Sequence, residues 1–275
     1  MPFDVAAEVV ANTRLSADFN VLGLAAPEVA RAAKPGQFVM MKTAAGLVPL
    51  LRRPFSIFEI LRGASGQPTG ISLLNKRVGV GTNLLFDAEP GTRLDCLGPL
   101  GRPFAPVDPP AEAWMVAGGV GLAPFVTLAE ALVARETPTR LLYGARAAAD
   151  LYGVDLFEKL GVEVVLTTED GSRGESGRVT LPLERDLAAR SAQAPVTIYA
   201  CGPTPMMRAV AALGRDHDRP VFVSLEPVMG CGMGGCYSCV VKVRHGADGH
   251  FVRSCLEGPV FDASTVLWDT LSTGH

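Results

Sequence analysis

Charge is scarce in this chain. Only 19% of the 275 residues are charged, the net charge is −3, and no run of lysines or arginines occurs. Nucleic acid is therefore excluded as the main partner. Histidine is scarcer still. His217, His245, His250 and His275 are scattered in polar contexts, so no histidine-built metal or acid–base site stands out. G-x-S-x-G, H-E-x-x-H and the P-loop are all missing, as are internal repeats and low-complexity tracts. The opening residues, MPFDVAAEVV, lack a basic stretch followed by an apolar core. The expectation is a cytoplasmic protein whose six cysteines are thiols or metal ligands, not disulfides.

A single apolar run, 113–134, is long enough at 22 residues to cross a bilayer. Gly118, Gly119, Gly121 and Pro124 interrupt its middle, and its halves differ, β-like before the glycines and helical after. It reads as a strand, a loop and a helix, with no membrane span.

What the chain does have is apolar content (48%), 30 glycines and 21 prolines, enough for two or more domains with many turns. Residues 1–106 hold short, partly alternating segments: AAEVVANTRL, FNVLGLAAP, GQFVMMKT, RRPFSIFEI, TGISLLNKRV and TRLDCLGPL. This is the pattern of a small antiparallel barrel. One helix is expected within 75–86, capped by Thr82. Residues 106–112, PVDPPAE, mark a boundary, and the period then changes. Strands are expected at 114–117, 140–143, 162–167, 196–200 and 220–225. Helices are expected at 122–135, 149–160, 182–190 and 203–215. Apolar strands alternating with helices mean a parallel sheet covered on both faces. The expected organisation is a β-barrel domain over 1–106, a Rossmann-like α/β domain over 107–226 and a cysteine-rich subdomain over 227–275, a fold of mixed α+β and α/β class.

Cys231, Cys236, Cys239 and Cys255 carry the strongest signal. Their spacing is C-x4-C-x2-C with a fourth cysteine after fifteen intervening residues, and glycines 230, 232, 234 and 235 lie in the segment of the first three. Plant-type 2Fe–2S clusters use this spacing, and glycines let a loop wrap an inorganic centre. Structural zinc is the rival reading, although zinc sites usually pair their ligands as C-x2-C twice. A disulfide pair is the third.

Weaker signals lie upstream. Gly118, Gly119 and Gly121 in VAGGVGLAPF sit between a strand and a helix, where backbone N–H groups can face a pyrophosphate. An ordinary glycine-rich turn is the competing reading. Cys201, Gly202 and Pro203 end a later strand on the same expected rim, with Glu226 ending the last strand. Cys201 is either a nicotinamide neighbour or a half-buried structural thiol. Arg52 and Arg53 in RRPFSI offer forks suited to a diphosphate or form a solvated charged pair. GVGT (79–82) precedes a helix and is either a phosphate site or a plain cap.

Taken together, RPFS, a GT loop, AGGVGLAPF and CGP resemble the ferredoxin–NADP reductase superfamily. SLEPVMGCGMGGCYSCVV followed by RSCLEGPVFDA resembles electron-transfer subunits of class 1B dihydroorotate dehydrogenases, over nearly the whole chain. The resemblance implies FAD in the barrel, NAD in the α/β domain, a C-terminal 2Fe–2S cluster and a catalytic FMN-containing partner subunit, two copies of each in a heterotetramer. It places Arg53, Pro54, Phe55 and Ser56 on FAD, with Arg53 at the diphosphate. It lays Leu74, Asn75 and Lys76 along the flavin and puts Gly81 and Thr82 at its phosphates. Cys231, Cys236, Cys239 and Cys255 become the cluster ligands. Asn75–Lys76 departs from the Tyr–Arg-like pair frequent in the family. Tyr237 and Ser238 stand where small or apolar residues are usual, a change expected to alter packing and not ligation. The implied activity is an electron relay to NAD+ in pyrimidine biosynthesis that needs no side-chain acid or base. A reductase serving a different partner, a ferredoxin–NADP reductase-like, hydrogenase or sulfide dehydrogenase subunit, is the alternative, and a zinc-stabilised nucleotide-binding module is another. NAD versus NADP stays open, with Arg146 facing either a 2′-phosphate or solvent.

Overall fold

Alternation builds the first layer. In β1 (Phe3–Arg14), Ala7 and Val9 are buried while Ala6, Glu8 and Val10 face out, the two-residue period of a half-buried strand. A computed structural model describes residues 1–44, 46, 48–191, 193–245 and 248–271. His275 and the side chain of His245 lie outside the described residues, as do the last residues of the expected 227–275 subdomain. The first sheet adds β2 (Phe19–Ala25), β3 (Phe38–Lys42), β4 (Arg53–Ser56), β5 (Glu59–Arg62), β6 (Pro68–Lys76) and β7 (Arg93–Leu100). It is antiparallel, in the order β4-β3-β7-β1-β2-β6-β5, and it curls until β4 comes beside β6. β6 pairs with β5 only as far as Ser72, so the β5-side backbone edge of residues 73–76 is left open there.

Two helices sit on this layer. α1 (Pro27–Ala32) was not expected, because six residues carry too short a periodic signal to stand out. Its proline at the start pre-sets the helical φ. α2 (Val80–Phe86) starts at Gly79, and Thr82 is not its cap. Thr82 lies inside the first turn, and its hydroxyl reaches back to accept the Val78 and Gly79 N–H groups at 2.8 and 3.0 Å.

The second sheet begins with β8 (Glu112–Gly118), buried almost throughout, as a central parallel strand must be. α3 (Phe125–Val133) follows three residues later than expected, since a 3-10 turn occupies Gly119–Leu122. Next come β9 (Thr139–Ala145), then α4 (Val154–Lys159), which is shorter than expected because a separate 3-10 turn holds Ala148–Asp150. β10 (Glu163–Thr168), β11 (Glu175–Ser176), α5 (Thr180–Ala189), β12 (Val196–Cys201), α6 (Thr204–Asp216) and β13 (Val221–Ser224) complete the alternation. Among the described residues no helix is long and apolar enough to cross a membrane.

The C-terminal segment forms a hairpin, β14 (Val240–His245) and β15 (Asp248–Arg253), then α7 (Ser254–Glu257) and β16 (Val260–Asp262). β16 returns to the second sheet and pairs antiparallel with β13, giving the order β11-β10-β9-β8-β12-β13-β16. The junction with the barrel is packed. Phe104 lies 5.4 Å edge-on to Tyr199 and 5.8 Å from Phe125, and the Tyr199 hydroxyl donates to the Ala105 carbonyl at 2.7 Å. Each aromatic pair adds about 0.5–1.5 kcal/mol beyond its buried area, so the linker is fastened to the sheet.

Candidate redox site

The four C-terminal cysteines come from two places: the loop after β13, which ends at Cys239 just before β14, and α7. They stand as two pairs. Cys231 and Cys236 are within hydrogen-bonding reach of each other, and so are Cys239 and Cys255. A mononuclear tetrahedral zinc draws all its sulfurs to about 2.3 Å from one centre. A two-iron cluster takes a thiolate pair at each end, and this arrangement fits it better.

The pairs differ in surroundings. Cys239 and Cys255 are buried against Phe38, Met40, Leu97, Leu100 and Met229, which places the loop on β3 and β7 of the barrel. A Cβ at Gly232 would meet Met40 Cγ at 2.5 Å, so only glycine lets the loop lie this close, and its φ of +72° favours glycine too. Burial, with Cys239 alongside, pushes the Cys255 thiol up to about 12. Cys236 is exposed, and Ser238 brings its thiol down to about 6, assisted by Cys231. Cys236 is thus poised as thiolate near neutral pH, while Cys255 needs a cation to take up its charge. Arg253 braces the loop. Its Nη1 donates to the Gly234 carbonyl at 3.1 Å, and its guanidinium lies 4.9 Å from the Tyr237 ring centre.

The barrel opening gathers a second group. Arg52 is held in a two-pronged ion pair with Asp4, at 2.9 and 3.0 Å. Arg53, among the described residues, has no carboxylate partner, and its Nη1 donates only to nearby carbonyls of Leu51 and Arg52. The two arginines therefore divide, one structural and one available to an anion. A Cβ on Gly81 would lie 3.3 Å from Arg53 Cγ and 3.4 Å from Thr43 Oγ1. That threonine hydroxyl is buried without a hydrogen-bond partner, an orphan that a phosphate oxygen would satisfy. Arg53, Gly81 and Thr43 thus form a cradle that fits a diphosphate. Pro54, Phe55 and Ser56 continue along β4, half-buried, beside β6.

Leu74, Asn75 and Lys76 turn their side chains elsewhere. Leu74 packs with Phe58 and Leu122 in the core between the two sheets. Asn75 is buried and donates to Asn20 Oδ1 at 2.7 Å and to the Thr82 carbonyl at 3.0 Å. Lys76 stands 5.2 Å from the Phe19 ring centre. What this strand offers a flavin is its open backbone edge. The Thr82 hydroxyl is likewise engaged, so its offer to a phosphate is its N–H, one of the free donors of the first helical turn.

On the second sheet, the two loops expected on one rim do meet. A Cβ on Gly121 would lie 2.3 Å from the Cys201 carbonyl oxygen, and one on Gly202 would lie 3.0 Å from the Gly118 nitrogen. A Cβ on Gly118 would collide with Pro203 and Met206. These glycines are required by loop-on-loop packing. Gly119 alone in this pair of loops opens to free space, at φ +55°. The Tyr143 hydroxyl, 3.2 Å from the carbonyls of both Gly119 and Asp150, donates within this loop cluster. Cys201 is fully buried, its Sγ 4.0 Å from Glu226 Oε1. Burial, then the Glu226 charge, holds its thiol well above the usual range. Glu226 is exposed to solvent at its edge yet densely surrounded by protein, and desolvation raises its carboxyl. The Gly119–Leu122 turn touches β6, so these loops meet the barrel at the strand of Leu74, Asn75 and Lys76.

Sequence reasoning missed Thr43, Tyr143 and Arg253. Arg253 had a signal, its place within the cysteine motif. Thr43 had none, because its closeness to Gly81 comes from the pairing of β3 with β4. Ser238 was expected to affect packing alone, but its Oγ accepts the Gly230 N–H at 2.8 Å and lies 3.2 Å from Cys236 Sγ.

Known proteins share this arrangement. Residues 226–267 match the family model of the iron–sulfur cluster binding domain of dihydroorotate dehydrogenase B, and residues 115–212 match that of the oxidoreductase NAD-binding domain. The electron transfer subunit of dihydroorotate dehydrogenase B (NAD(+)) from Geobacillus kaustophilus is 41% identical, over 94% of this chain and 96% of that one. Its counterpart from Desulforamulus reducens is 39% identical, over 89% and 90%. Among solved structures, an NADH-dependent reduced ferredoxin–NADP oxidoreductase studied for flavin-based electron bifurcation superposes with a TM-score of 0.84 at 29% identity, covering 97% of this chain and 91% of that one. A cytochrome P450 reductase from Amycolatopsis gives 0.66 at 26% identity, over 78% and 66%. The chain belongs to the family of dihydroorotate dehydrogenase B electron transfer subunits.

Proposed function

We propose that this chain accepts electrons from an FMN-containing dihydroorotate dehydrogenase subunit and delivers them to NAD+ in pyrimidine biosynthesis, as two copies of each subunit in the cytoplasm. When bound, a 2Fe–2S cluster supplies single-electron steps, FAD joins one- to two-electron chemistry, and NAD+ takes the hydride. The chain's own residues hold and place these groups. Cys231, Cys236, Cys239 and Cys255 ligate the cluster. Arg53 and the N–H groups of Gly81 and Thr82 grip the FAD diphosphate, with Thr43 adding its hydroxyl. The strand Arg53–Ser56 and the open edge at Leu74, Asn75 and Lys76 border the flavin. The loops of Gly118, Gly119 and Gly121 and of Cys201, Gly202 and Pro203 shape the nicotinamide nucleotide rim. In this reading 1–106 serves FAD, 107–226 serves NAD, and 227–275 serves the cluster.

The observation that carries the proposal is the seating of the Cys239–Cys255 pair on β3 and β7, the barrel wall next to the strand of Arg53. An electron carrier held there is one strand from the flavin cradle. A visible spectrum of the purified protein tests it. Flavin bands with a broad iron–sulfur shoulder, both bleached by NADH, are expected. A colourless protein containing zinc would refute it. The likeness to a reductase of another system favours one second reading, a different electron-donating partner. Co-purification decides between them. An FMN-containing dihydroorotate dehydrogenase subunit is expected to come down with the chain.

A further inference from the structure

Resting on the cluster assignment above, we propose that the Ser238 hydroxyl donates a hydrogen bond to the Cys236 sulfur and thereby raises the reduction potential of the bound cluster. Ser238 Oγ already accepts the Gly230 N–H at 2.8 Å, which uses one lone pair and fixes the oxygen in place. Its one proton remains to be directed. Cys236 Sγ lies 3.2 Å away. A ligating sulfur is a thiolate with no proton of its own, so the O–H must be the donor. Gly230 makes the geometry possible. A Cβ there would sit 3.2 Å from Cys236 Sγ and 3.4 Å from Ser238 Oγ, crowding both.

The Met233 N–H also points to Cys231 Sγ, at 3.4 Å, so each sulfur of the outer pair has a donor at hand. The inner pair lies among apolar side chains. On reduction the cluster gains one electron and no proton, and its negative charge rises. A donor to sulfur favours the more negative state, which is how hydrogen bonds to ligand sulfurs tune such potentials. Ser238 is therefore a positioning and tuning residue for the ligand pair, and not a ligand.

The test is an anaerobic redox titration of the holoprotein, followed by the electron paramagnetic resonance of the reduced cluster and by visible bleaching. In Ser238→Ala the cluster's reduction equilibrium is expected to fall about tenfold, or about 59 mV for one electron, with the flavin titration unmoved. Ser238→Thr keeps the hydroxyl and should titrate as the native protein does. Ser238→Val, matched to threonine in shape, should follow the alanine variant. Alanine and valine variants holding the cluster at the native potential would overturn the inference, as would threonine shifting as far as valine. Should the alanine variant lose its cluster, the threonine–valine pair decides. Cluster loss in both alanine and valine variants also counts against it, because a tuning bond is not needed for assembly. Absence of any cluster from the native protein would sink the cluster assignment itself, whereas a native cluster with unmoved variants sinks only the role of Ser238.

Discussion

Arg52 and Arg53 are neighbours of one type with different fates. Asp4 neutralises Arg52 across the sheet, while Arg53 faces the orphaned Thr43 hydroxyl over Gly81. A charge-assisted hydrogen bond contributes about 1.5–3 kcal/mol. Arg53→Ala should therefore weaken FAD retention about tenfold or more, read as the flavin-to-protein ratio after gel filtration. Arg52→Ala should leave that ratio near native. Equal losses from both would assign the flavin grip elsewhere. Glu226 supports a prediction with a sign to work out. Its carboxyl is raised in the folded protein by desolvation, from an ordinary value of 4.5. The fold therefore favours the protonated form. That contribution is complete below the unfolded value and is lost as pH rises through the raised folded value. Glu226→Gln removes the charge permanently. Its melting temperature should exceed the native one at about pH 7, with the difference shrinking towards about pH 4, where both side chains are neutral. A glutamine variant that melts lower at about pH 7 would contradict the assigned burden.

At the scale of elements, the two nucleotide loops show what a sequence can and cannot disclose. Gly118, Gly119, Gly121, Gly202 and Pro203 stood out as a glycine-rich pair of turns, and their common rim followed from the strand order of a parallel sheet. Why they are glycines was not legible, because the reason is the contact of one loop with the other, a distant pairing that local spacing does not encode. The strands of the barrel and of the α/β layer were readable from their periods. α1 is too short to show one, and β16 follows a cysteine segment yet completes the second sheet. The four cysteines were legible as a candidate ligand set. Their division into an outer polar pair and an inner apolar pair was not, since Met40, Leu97 and Leu100 come from the barrel. Tyr143 belongs to this class of hidden residue. It is fully buried on β9, and its hydroxyl ties the Gly119 turn to the Asp150 carbonyl and accepts from the Tyr152 N–H at 3.5 Å. One such bond contributes about 1 kcal/mol. Tyr143→Phe keeps the ring and should raise the KM for NADH about fivefold while leaving kcat with an artificial acceptor near native. A fall in kcat with KM unchanged would place the hydroxyl's effect on the chemistry instead of on the loop.

At the scale of the molecule, the cluster loop lies where an electron-donating partner can reach it. Cys236 is exposed, and around it stand Val228, Met233, Tyr237 and Leu256, all exposed apolar or aromatic side chains, with Leu51 of the barrel close to Gly230. Scattered apolar residues on a surface need no explanation, but a group of them around a candidate redox centre marks a docking face. The opposite wall of the same loop is buried against β3 and β7, so one layer of protein separates the partner's side from the flavin cradle. Met233 is the probe of choice. It is 59% exposed, and it meets Cys231 Sγ through its backbone N–H, which a side-chain substitution keeps. Placing a carboxylate in an apolar interface leaves a desolvated charge, at a cost of several kcal/mol when unpaired. Met233→Glu should therefore weaken assembly with the catalytic subunit about a hundredfold or more, measured by analytical ultracentrifugation of the mixed subunits. The isolated variant should still show flavin reduction by NADH at the native rate, because the nucleotide rim lies on the other sheet. Unchanged assembly would remove the loop from the docking face, and slowed flavin reduction in the isolated variant would mean that the substitution disturbed the fold.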